Sequence, residues 1–335
     1  MRVDSGGAAP IDLPDLTEEA VVALSRDFVA ALDTRHSDRS AWHQQVATTC
    51  MALWDLGVDR LVAQLSDVDA AVLVPTGLLT LLPLHAAMPA IEGGYALDTV
   101  RLTYAPNARL LLSGRHAGDT VVHDSVMVVD APHRADLSPL PFSPIEARAA
   151  IGARPRCEHL HGKDATIPRV LDALARNDLL HFSCHAMADP TRAWASALLL
   201  ADGPLTVERI RQTPPRHARL AFLSACETAV VSYALPDEVI AFPSVLLAAG
   251  IPGVIASLWP VPQAATALLV TAFYDELIRG VDLPDALRQA QRTVREATGS
   301  LISERLKLPW RSAPAPSSRP FSHPVFWAGF TFTGE

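Results

Sequence analysis

Short apolar runs bounded by polar residues recur along the chain and predict buried β-strands. Two runs, at residues 179–185 and 220–226, have the same build, because each ends in a side chain that can take part in chemistry: His185 and Cys226. Between the runs lie stretches in which apolar residues recur at helical spacing, as over 264–279 and 283–297. Strands that alternate with helices indicate an α/β protein with a mainly parallel sheet and right-handed crossovers.

Further patterns continue this alternation. Apolar runs predict strands at residues 70–75, 100–104, 125–130, 156–160, 254–259 and 325–332, and a hairpin over 197–205. Helical spacing predicts helices at residues 17–32, 40–65, 145–151, 164–176 and 237–249. A second hairpin is predicted over residues 70–84, because Thr76-Gly77 separates two apolar runs.

The carboxyl ends of parallel strands share one edge of a sheet, where such folds place their sites. His185 and Cys226 are therefore expected to meet there, with Cys226 as a thiolate nucleophile and His185 as its base. The backbone N–H groups of Ala186 and Cys226 are the candidate donors to an oxyanion. The residues alone leave a second interpretation open, since a cysteine that ends an apolar strand is often a buried packing residue.

Metal binding is weighed by geometry. His181 and His185 would lie about 13 Å apart along one strand, too far to ligate a single zinc ion. Cys157, His159 and His161 alternate on one face of a neighbouring strand, which leaves a metal site there as a second interpretation. The favoured interpretation is polar side chains at the end of a sheet, and neither a metal nor a cofactor is predicted.

Composition excludes several classes of function. The 335 residues are 49% hydrophobic and 19% charged, as in a globular protein, and a net charge of −8 argues against nucleic-acid binding. No run reaches the roughly 18 apolar residues of a membrane span, and the first residues lack the apolar core of a signal peptide. The four cysteines show no paired spacing, so free thiols and a cytoplasmic location are expected. Phosphate-binding glycine loops and the Gly-x-Ser-x-Gly elbow are missing from the sequence.

Several short motifs occur in an order and spacing typical of one family. The central two are HFSCHA at residues 181–186 and LSACET at 223–228. The others are LVPTG at 73–77, LPL at 82–84, YAPN at 104–107, AAG at 248–250, SLWPV at 257–261, FY at 273–274, ALRQAQ at 286–291 and HPVFWAGF at 323–330. Over roughly residues 65–335 the chain thus resembles the CHAT-domain proteins, caspase-like peptidases grouped with separase, the metacaspases and the caspases.

The resemblance implies that His185 is the general base and Cys226 the nucleophile of a cysteine endopeptidase. It implies a caspase-like fold with a mainly parallel six-stranded sheet flanked by helices, with the dyad on the third and fourth strands. Residues 1–65 would form an N-terminal helical extension, 66–124 the N-terminal part of the CHAT region or a degenerate second lobe, and 125–335 the peptidase core.

Two positions depart from the pattern of the family. Ala186 stands where glycine often follows the catalytic histidine, and its backbone N–H is still expected to serve. Gln263 stands where relatives often carry an acidic residue, and in separase-like members an aspartate in this region holds a basic P1 side chain. The candidate pocket residues are therefore Gln263, Ser224, Asp189 and Glu238, with Asp202 and Asp237 as further acidic residues, and the P1 preference stays open.

The resemblance also implies partners. Relatives make limited cuts in specific proteins of bacterial defence or cell-death systems, gasdermin-like pore formers among them, so a protein substrate is expected. Many relatives carry sensor regions, and here a regulatory sensor is expected on another chain. No direct contact with nucleic acid or membrane is expected. The alternative is a catalytically idle member that acts as a scaffold or interaction module.

Overall fold

A computed structural model describes residues 1–91, 93–114, 124–187, 189, 193–213, 215, 217–224, 242–308 and 313–334. The chain divides into two compact units, of which the first comprises Met1–Ala71 and Gly77–Leu102 and the second Val72–Thr76 and Thr103–Glu335. The boundaries predicted after residues 65 and 124 stay a prediction.

The strands, in chain order, are β1 (Arg2–Asp4), β2 (Gly7–Ala9), β3 (Ala70–Leu73), β4 (Arg101–Tyr104), β5 (Ser125–Asp130), β6 (Arg156–His161), β7 (Leu179–Ser183), β8 (His185–Met187), β9 (Ala197–Leu200), β10 (Gly203–Thr206), β11 (Leu220–Leu223), β12 (Gly253–Ser257) and β13 (Phe330–Gly334). The α-helices are α1 (Glu18–Asp33), α2 (Arg39–Leu53), α3 (Asp59–Gln64), α4 (Ala96–Thr99), α5 (Ala108–Gly114), α6 (Ser143–Gly152), α7 (Ile167–Leu174), α8 (Val207–Gln212), α9 (Phe242–Ala248), α10 (Gln263–Ile278), α11 (Leu283–Glu296) and α12 (Gly299–Leu306).

The first unit is mainly helical, as its periodicity predicts. Thr17 caps α1 by accepting the backbone N–H of Ala20 at 3.2 Å, and Phe28 of α1 packs edge-on against Trp42 of α2. The helical stretch predicted at 40–65 is interrupted by a π-helical turn in which Gly57 adopts φ 133°.

The hairpin predicted over residues 70–84 is wrong in its second half. Residues 70–73 form β3, but the following apolar residues form the 3₁₀ turns Gly77–Leu81 and Leu84–Ala86. Pro75 and Pro83 lack the backbone N–H that pairing in a β-sheet requires. Leu81 and Leu82 are buried in turns, which need no sheet pairing.

The large sheet has the strand order β3-β4-β13-β12-β11-β7-β5-β6. The mainly parallel sheet expected from the sequence is confirmed: β5 pairs in parallel with β6 and β7, and β11 pairs in parallel with β7 and β12, whereas β12 and β13 are antiparallel. The six strands from β5 onward in this sheet are the expected set, and β3 and β4 extend it to eight.

Helices cover both faces of the sheet. On one face, Leu180 and Phe182 of β7 pack in a core cluster with residues of α7, α8 and α9. On the other face, Phe222 of β11 packs edge-on against Phe273 and stacks on Tyr274 of α10, and α6 packs against α10. Every residue of β5, β7, β11 and β12 is buried, as continuous apolar runs in a parallel sheet require.

Two strand predictions extend too far. The run predicted over 179–185 ends at Ser183, and His185 instead begins β8 in a separate three-stranded sheet of order β10-β9-β8. The strand predicted at 325–332 begins only at Phe330, because Pro324–Phe326 forms a 3₁₀ turn in which the His323 ring accepts the Val325 N–H. By contrast, the hairpin predicted over 197–205 is confirmed as β9 and β10.

Two other predictions fall partly outside the described residues. The described part of β11 ends at Leu223, and Cys226 lies outside the described residues. Of the helix predicted at 237–249, the segment Phe242–Ala248 is described. No helix in the described part of the chain is long and apolar enough to cross a membrane.

A hydrogen-bonded pair aligns the amino ends of the central strands. The Asp178 carboxylate accepts the Ser125 hydroxyl at 2.7 Å and the backbone N–H groups of Asp124 and Ser125 at 3.2 and 3.1 Å. The Ser125 hydroxyl accepts the Asp178 N–H at 3.1 Å, and the Asp178 carbonyl accepts the Arg219 N–H at 2.7 Å, just before β11. One buried residue thus ties β5, β7 and β11 together, and it sets their common register.

This pair predicts a measurable loss of stability. Replacing Ser125 by alanine removes a buried hydroxyl that both donates to and accepts from Asp178, so the free energy of unfolding should fall by about 1–3 kcal/mol. Urea unfolding of wild type and S125A measures the loss, and exposed Ser317, changed to alanine, serves as the control with an expected effect within about 0.5 kcal/mol. Equal stability of S125A and wild type would contradict the importance of the pair.

Candidate active site

An open cleft lies at the carboxyl ends of β7, β11 and β12. Three sequence-predicted residues line it, namely His185, Ser224 and Gln263. The cleft is also lined by polar residues that the sequence analysis did not single out for the site: Ser143, Glu146, Ser183 and Ser257. The structure therefore brings His185, Ser224 and Gln263 together in one place.

His185 is positioned by the departure of the chain from the main sheet after Ser183. Its ring is partly buried, and Nε2 lies 2.8 Å from the carbonyl oxygen of Ser138. A carbonyl oxygen can only accept, so this hydrogen bond requires the proton on Nε2. In the neutral ring, Nδ1 is then the unprotonated nitrogen that can take up a proton, as a general base must.

The two strand ends are held in a defined register. Parallel pairing places Leu223 opposite Phe182, and the next residues, Ser224 and Ser183, both line the cleft. Cys226 and its backbone N–H lie outside the described residues. Ala186, the other candidate oxyanion donor, lies in β8 opposite Leu198 of β9.

The acidic pocket candidates have different positions. Asp189 is not among the residues that line the cleft, and its backbone N–H donates to the Ser196 hydroxyl at 3.0 Å. Asp202 accepts the N–H of Ile167 at 2.8 Å, so its role is to cap the first turn of α7. Glu238 and Asp237 lie outside the described residues.

Glu146 is the acidic residue that the sequence analysis missed. It lies in the first turn of α6, is almost fully buried, and accepts the Ser183 hydroxyl at 2.9 Å. The signal that could have found it is periodicity: Ser143, Glu146, Ala147 and Ala150 form the buried stripe of α6, and only one of them is charged. A carboxylate on a buried stripe is costly unless it has partners, which marks the position as one with a role.

A chain of buried polar groups leads from the core to Glu146. The hydroxyl of Tyr274 lies 3.2 Å from Nδ1 of His181, and Nε2 of His181 lies 3.7 Å from the Glu146 carboxylate. Burial raises the pKa of Tyr274 well above its usual range, so its O–H stays protonated. The arrangement that serves all three groups has Tyr274 donating to Nδ1 and the imidazole proton on Nε2, directed at Glu146. His181 is therefore a buried hydrogen-bonded histidine and does not line the cleft.

The three described cysteines differ in access and acidity. Cys184 is buried in the core cluster although it also borders the cleft, and burial raises the pKa of its thiol far above the usual range. Burial also raises the pKa of Cys50, to about 12. Cys157 is exposed, and partial burial together with Glu158 raises its pKa. None of these three thiols has the lowered pKa of an activated nucleophile.

One group of side chains has metal-ligand character. Oδ2 of Asp130, at the end of β5, lies 2.9 Å from Nδ1 of His161 and 3.1 Å from Nε2 of His159, both on β6. The second carboxylate oxygen of Asp130 accepts the hydroxyl of Ser143 at 2.6 Å. Ser143 is the first residue of α6, whose cap position is Phe142, and the serine hydroxyl is directed to Asp130.

Solved structures with the same fold are cysteine peptidases. The chain superposes on the Arg-specific cysteine proteinase gingipain R of Porphyromonas gingivalis with a TM-score of 0.56 and 10% identity, covering 84% of this chain and 67% of that one. It superposes on Saccharomyces cerevisiae separase, in complex with securin, with a TM-score of 0.51 and 14% identity, covering 78% of this chain and 15% of that one. At these identities the likeness shows the fold, which is that of caspase-like cysteine peptidases.

Sequence relatives include a far larger protein. The chain is 28% identical over 216 residues to tetratricopeptide repeat protein 28 of Mus musculus, and 29% identical over 219 residues to that of Homo sapiens. These matches cover 53% of this chain but only 8% of the length of either relative. The CHAT-domain family model matches residues 47–335, which is most of the chain. The resemblance seen in the sequence motifs is thereby confirmed, and the chain belongs to the CHAT-domain family.

Proposed function

We propose that the chain is a cysteine endopeptidase in which Cys226 is the nucleophile and His185 the general base. The observation that carries this proposal is the position of His185 in the cleft, with Nε2 held by the Ser138 carbonyl and Nδ1 left to accept a proton. The cleft is formed where β7 and β11 end, and the stretch that contains Cys226 follows β11 directly.

The strand register supports the same pairing. Parallel pairing places Leu223 opposite Phe182, so Ser183 and Ser224 follow at the ends of neighbouring strands, and His185 and Cys226 each come two residues later in the sequence. Cys226 is the strongest candidate nucleophile, because Cys184 and Cys50 are buried and the pKa of the Cys157 thiol is raised.

The chemistry follows that of other cysteine–histidine dyads. Nδ1 of His185 takes the thiol proton, and the Cys226 sulfur attacks the carbonyl carbon of the scissile peptide bond. The imidazolium returns the proton to the leaving amine as the C–N bond breaks, which leaves a thioester on Cys226. Water, deprotonated by the same imidazole, hydrolyses the thioester. The N–H groups of Ala186 and Cys226 are the proposed donors to the oxyanion.

We also propose that the substrate carries a basic P1 side chain. Glu146 is the acidic residue among those that line the described cleft, and Gln263 lines it as a neutral amide. A guanidinium that leaves water needs a paired charge, which the Glu146 carboxylate would provide. The gingipain with the same fold is described as Arg-specific, which agrees with this assignment.

The proposed setting comes from the family. The substrate would be a specific protein of a bacterial defence or cell-death system, such as a gasdermin-like effector, cut in the cytoplasm under control of a sensor on another chain. Comparing the new protein N-termini that appear in cells with active chain and with Cys226→Ala would identify it. Identical N-termini in both cell populations, with active protein present, would argue against a proteolytic role in that setting.

The dyad is tested by covalent labelling. A peptidyl acyloxymethyl ketone with arginine at P1 should add one adduct to wild type, and intact-mass analysis should find none on Cys226→Ala or His185→Ala, because the first lacks the thiol and the second its base. Cys157→Ala is the matched control and should label as wild type does. At neutral pH the raised pKa of Cys157 keeps that thiol mostly protonated, and its background labelling should increase only at alkaline pH.

The outcome of labelling also separates the two functions that the sequence left open. An adduct that depends on both Cys226 and His185 supports the peptidase. A folded wild type that gains no adduct, or one that gains an adduct on Cys226→Ala as readily, would contradict the dyad and favour the scaffold interpretation.

The P1 pocket is tested by specificity. Glu146→Gln keeps an acceptor for the Ser183 hydroxyl but removes the charge, so kcat/KM for an arginine P1 substrate should fall about tenfold or more. The value for a matched substrate with a neutral P1 residue should change little. Exposed Glu304, changed to glutamine, is the control and should leave both values unchanged. An equal fall for both substrates would assign Glu146 to the fold and not to the pocket.

A further inference from the structure

Asp130 on β5 and His159 and His161 on β6 form a group at the carboxyl edge of the sheet, and β7 lies between β5 and β11. Asp130 and His161 are the last residues of β5 and β6 and face each other in the parallel register, and His159 precedes His161 by two positions on the same strand face. One ligand atom from each of the three residues lies within 4.8 Å of the other two. Among the described residues, this is the group of three His, Cys, Asp or Glu side chains that satisfies such a distance.

The donor set suits a transition metal. Two imidazole nitrogens and one carboxylate oxygen are a common catalytic or exchangeable zinc set, which keeps the fourth position open. Zinc binds such atoms at about 2.0–2.2 Å, so two tetrahedral ligands lie roughly 3.4 Å apart. The distances of 2.9 and 3.1 Å from Asp130 to the two rings need to widen by only a few tenths of an ångström. Both rings are free to make this adjustment, since the His159 and His161 side chains are 37% and 61% exposed.

The Asp130 carboxylate is buried and oriented by a hydrogen bond, as metal-ligating carboxylates usually are. Its side chain is only 3% exposed, and the Ser143 hydroxyl holds Oδ1, which turns Oδ2 towards the two histidines. Hydrogen bonds of this kind orient ligating carboxylates in known metal sites. The His159 and His161 imidazoles lie beside Oδ2, and a buried carboxylate is costly unless hydrogen bonds or positive charge compensate it. A divalent cation bound by all three would supply that charge.

We propose that Asp130, His159 and His161 form a Zn²⁺ site with one coordination position open to solvent. The sequence alone favoured polar side chains without a metal, because Asp130 lies on another strand and its meeting with the two histidines needs the register of β5 and β6. The site anchors both ends of the loop 131–142, since Asp130 precedes it and Ser143 follows it. The carbonyl oxygen that holds His185 belongs to Ser138 in this loop.

The test measures metal binding directly and does not depend on peptidase activity. Chelator-treated protein is titrated with Co²⁺ and then Zn²⁺, with equilibrium dialysis for stoichiometry and the visible Co²⁺ spectrum for coordination. We expect one ion per chain, bound to wild type with micromolar affinity or better, and an absorption spectrum typical of nitrogen and oxygen ligands in a four- or five-coordinate site.

The two histidine variants are chosen so that folding is not at risk. His161→Asn and His159→Asn change exposed side chains and should each weaken binding at least tenfold, and Ser143→Ala should weaken it roughly 10- to 100-fold through the orientation of Asp130. His217→Asn is the matched control, because His217 is exposed and precedes the amino end of β11, at the opposite edge of the sheet. Circular dichroism confirms that each variant is folded.

Two results would overturn the proposal. One is a wild type that binds neither ion saturably at one per chain. The other is saturable binding that keeps the same affinity and Co²⁺ spectrum in His161→Asn and His159→Asn, which would place the ion elsewhere. Loss of binding in these variants with retention in His217→Asn supports the site, whether or not Cys226 proves to be a nucleophile.

Discussion

The parallel pairing of β7 with β5 on one side and β11 on the other is the constraint on which the site depends. These strands are buried on both faces, so their register is fixed by packing along their whole length as well as by the Asp178–Ser125 pair at their amino ends. A slip of one residue would turn His181 and Phe222 towards the opposite helices. Because the register holds, Asp130, Ser183 and Ser224 end their strands on the same face of the sheet, under α6 and α10.

Buried carboxylates then determine how that edge is built. Asp130 and Glu146 are both almost fully buried, and each is satisfied by a serine hydroxyl, from Ser143 and Ser183 respectively. Removing such a charge from water is costly without compensation, so these hydrogen bonds fix where the two side chains point. Glu146 belongs to α6, and Asp130 accepts a hydrogen bond from Ser143 of the same helix. This helix therefore joins the cleft to the histidine pair on β6.

The thiols show how environment separates similar side chains. Cys184 directly precedes His185 in sequence, yet the alternation of the strand turns it into the core, where burial raises the pKa of its thiol. His185 faces the cleft, and its Nε2–H donates to the Ser138 carbonyl, which fixes the orientation of the ring. A nucleophile needs access and a stabilised thiolate, and neither is available to a sulfur in the apolar layer between the sheet and its helices.

The sequence by itself determined the alternation of strands and helices, the family, and the placing of His185, Ser224 and Gln263 at one site, because buried strands and amphipathic helices carry strong local patterns. It did not indicate that the strand ends at Ser183 and that His185 enters a second sheet, since the local pattern of residues 179–185 looks the same in either case. Glu146 was missed because its importance depends on what α6 covers. The meeting of Asp130 with His159 and His161, and the bond from Ser138 to His185, join residues 29 to 47 positions apart, and only the tertiary register of the strands brings them within hydrogen-bond distance.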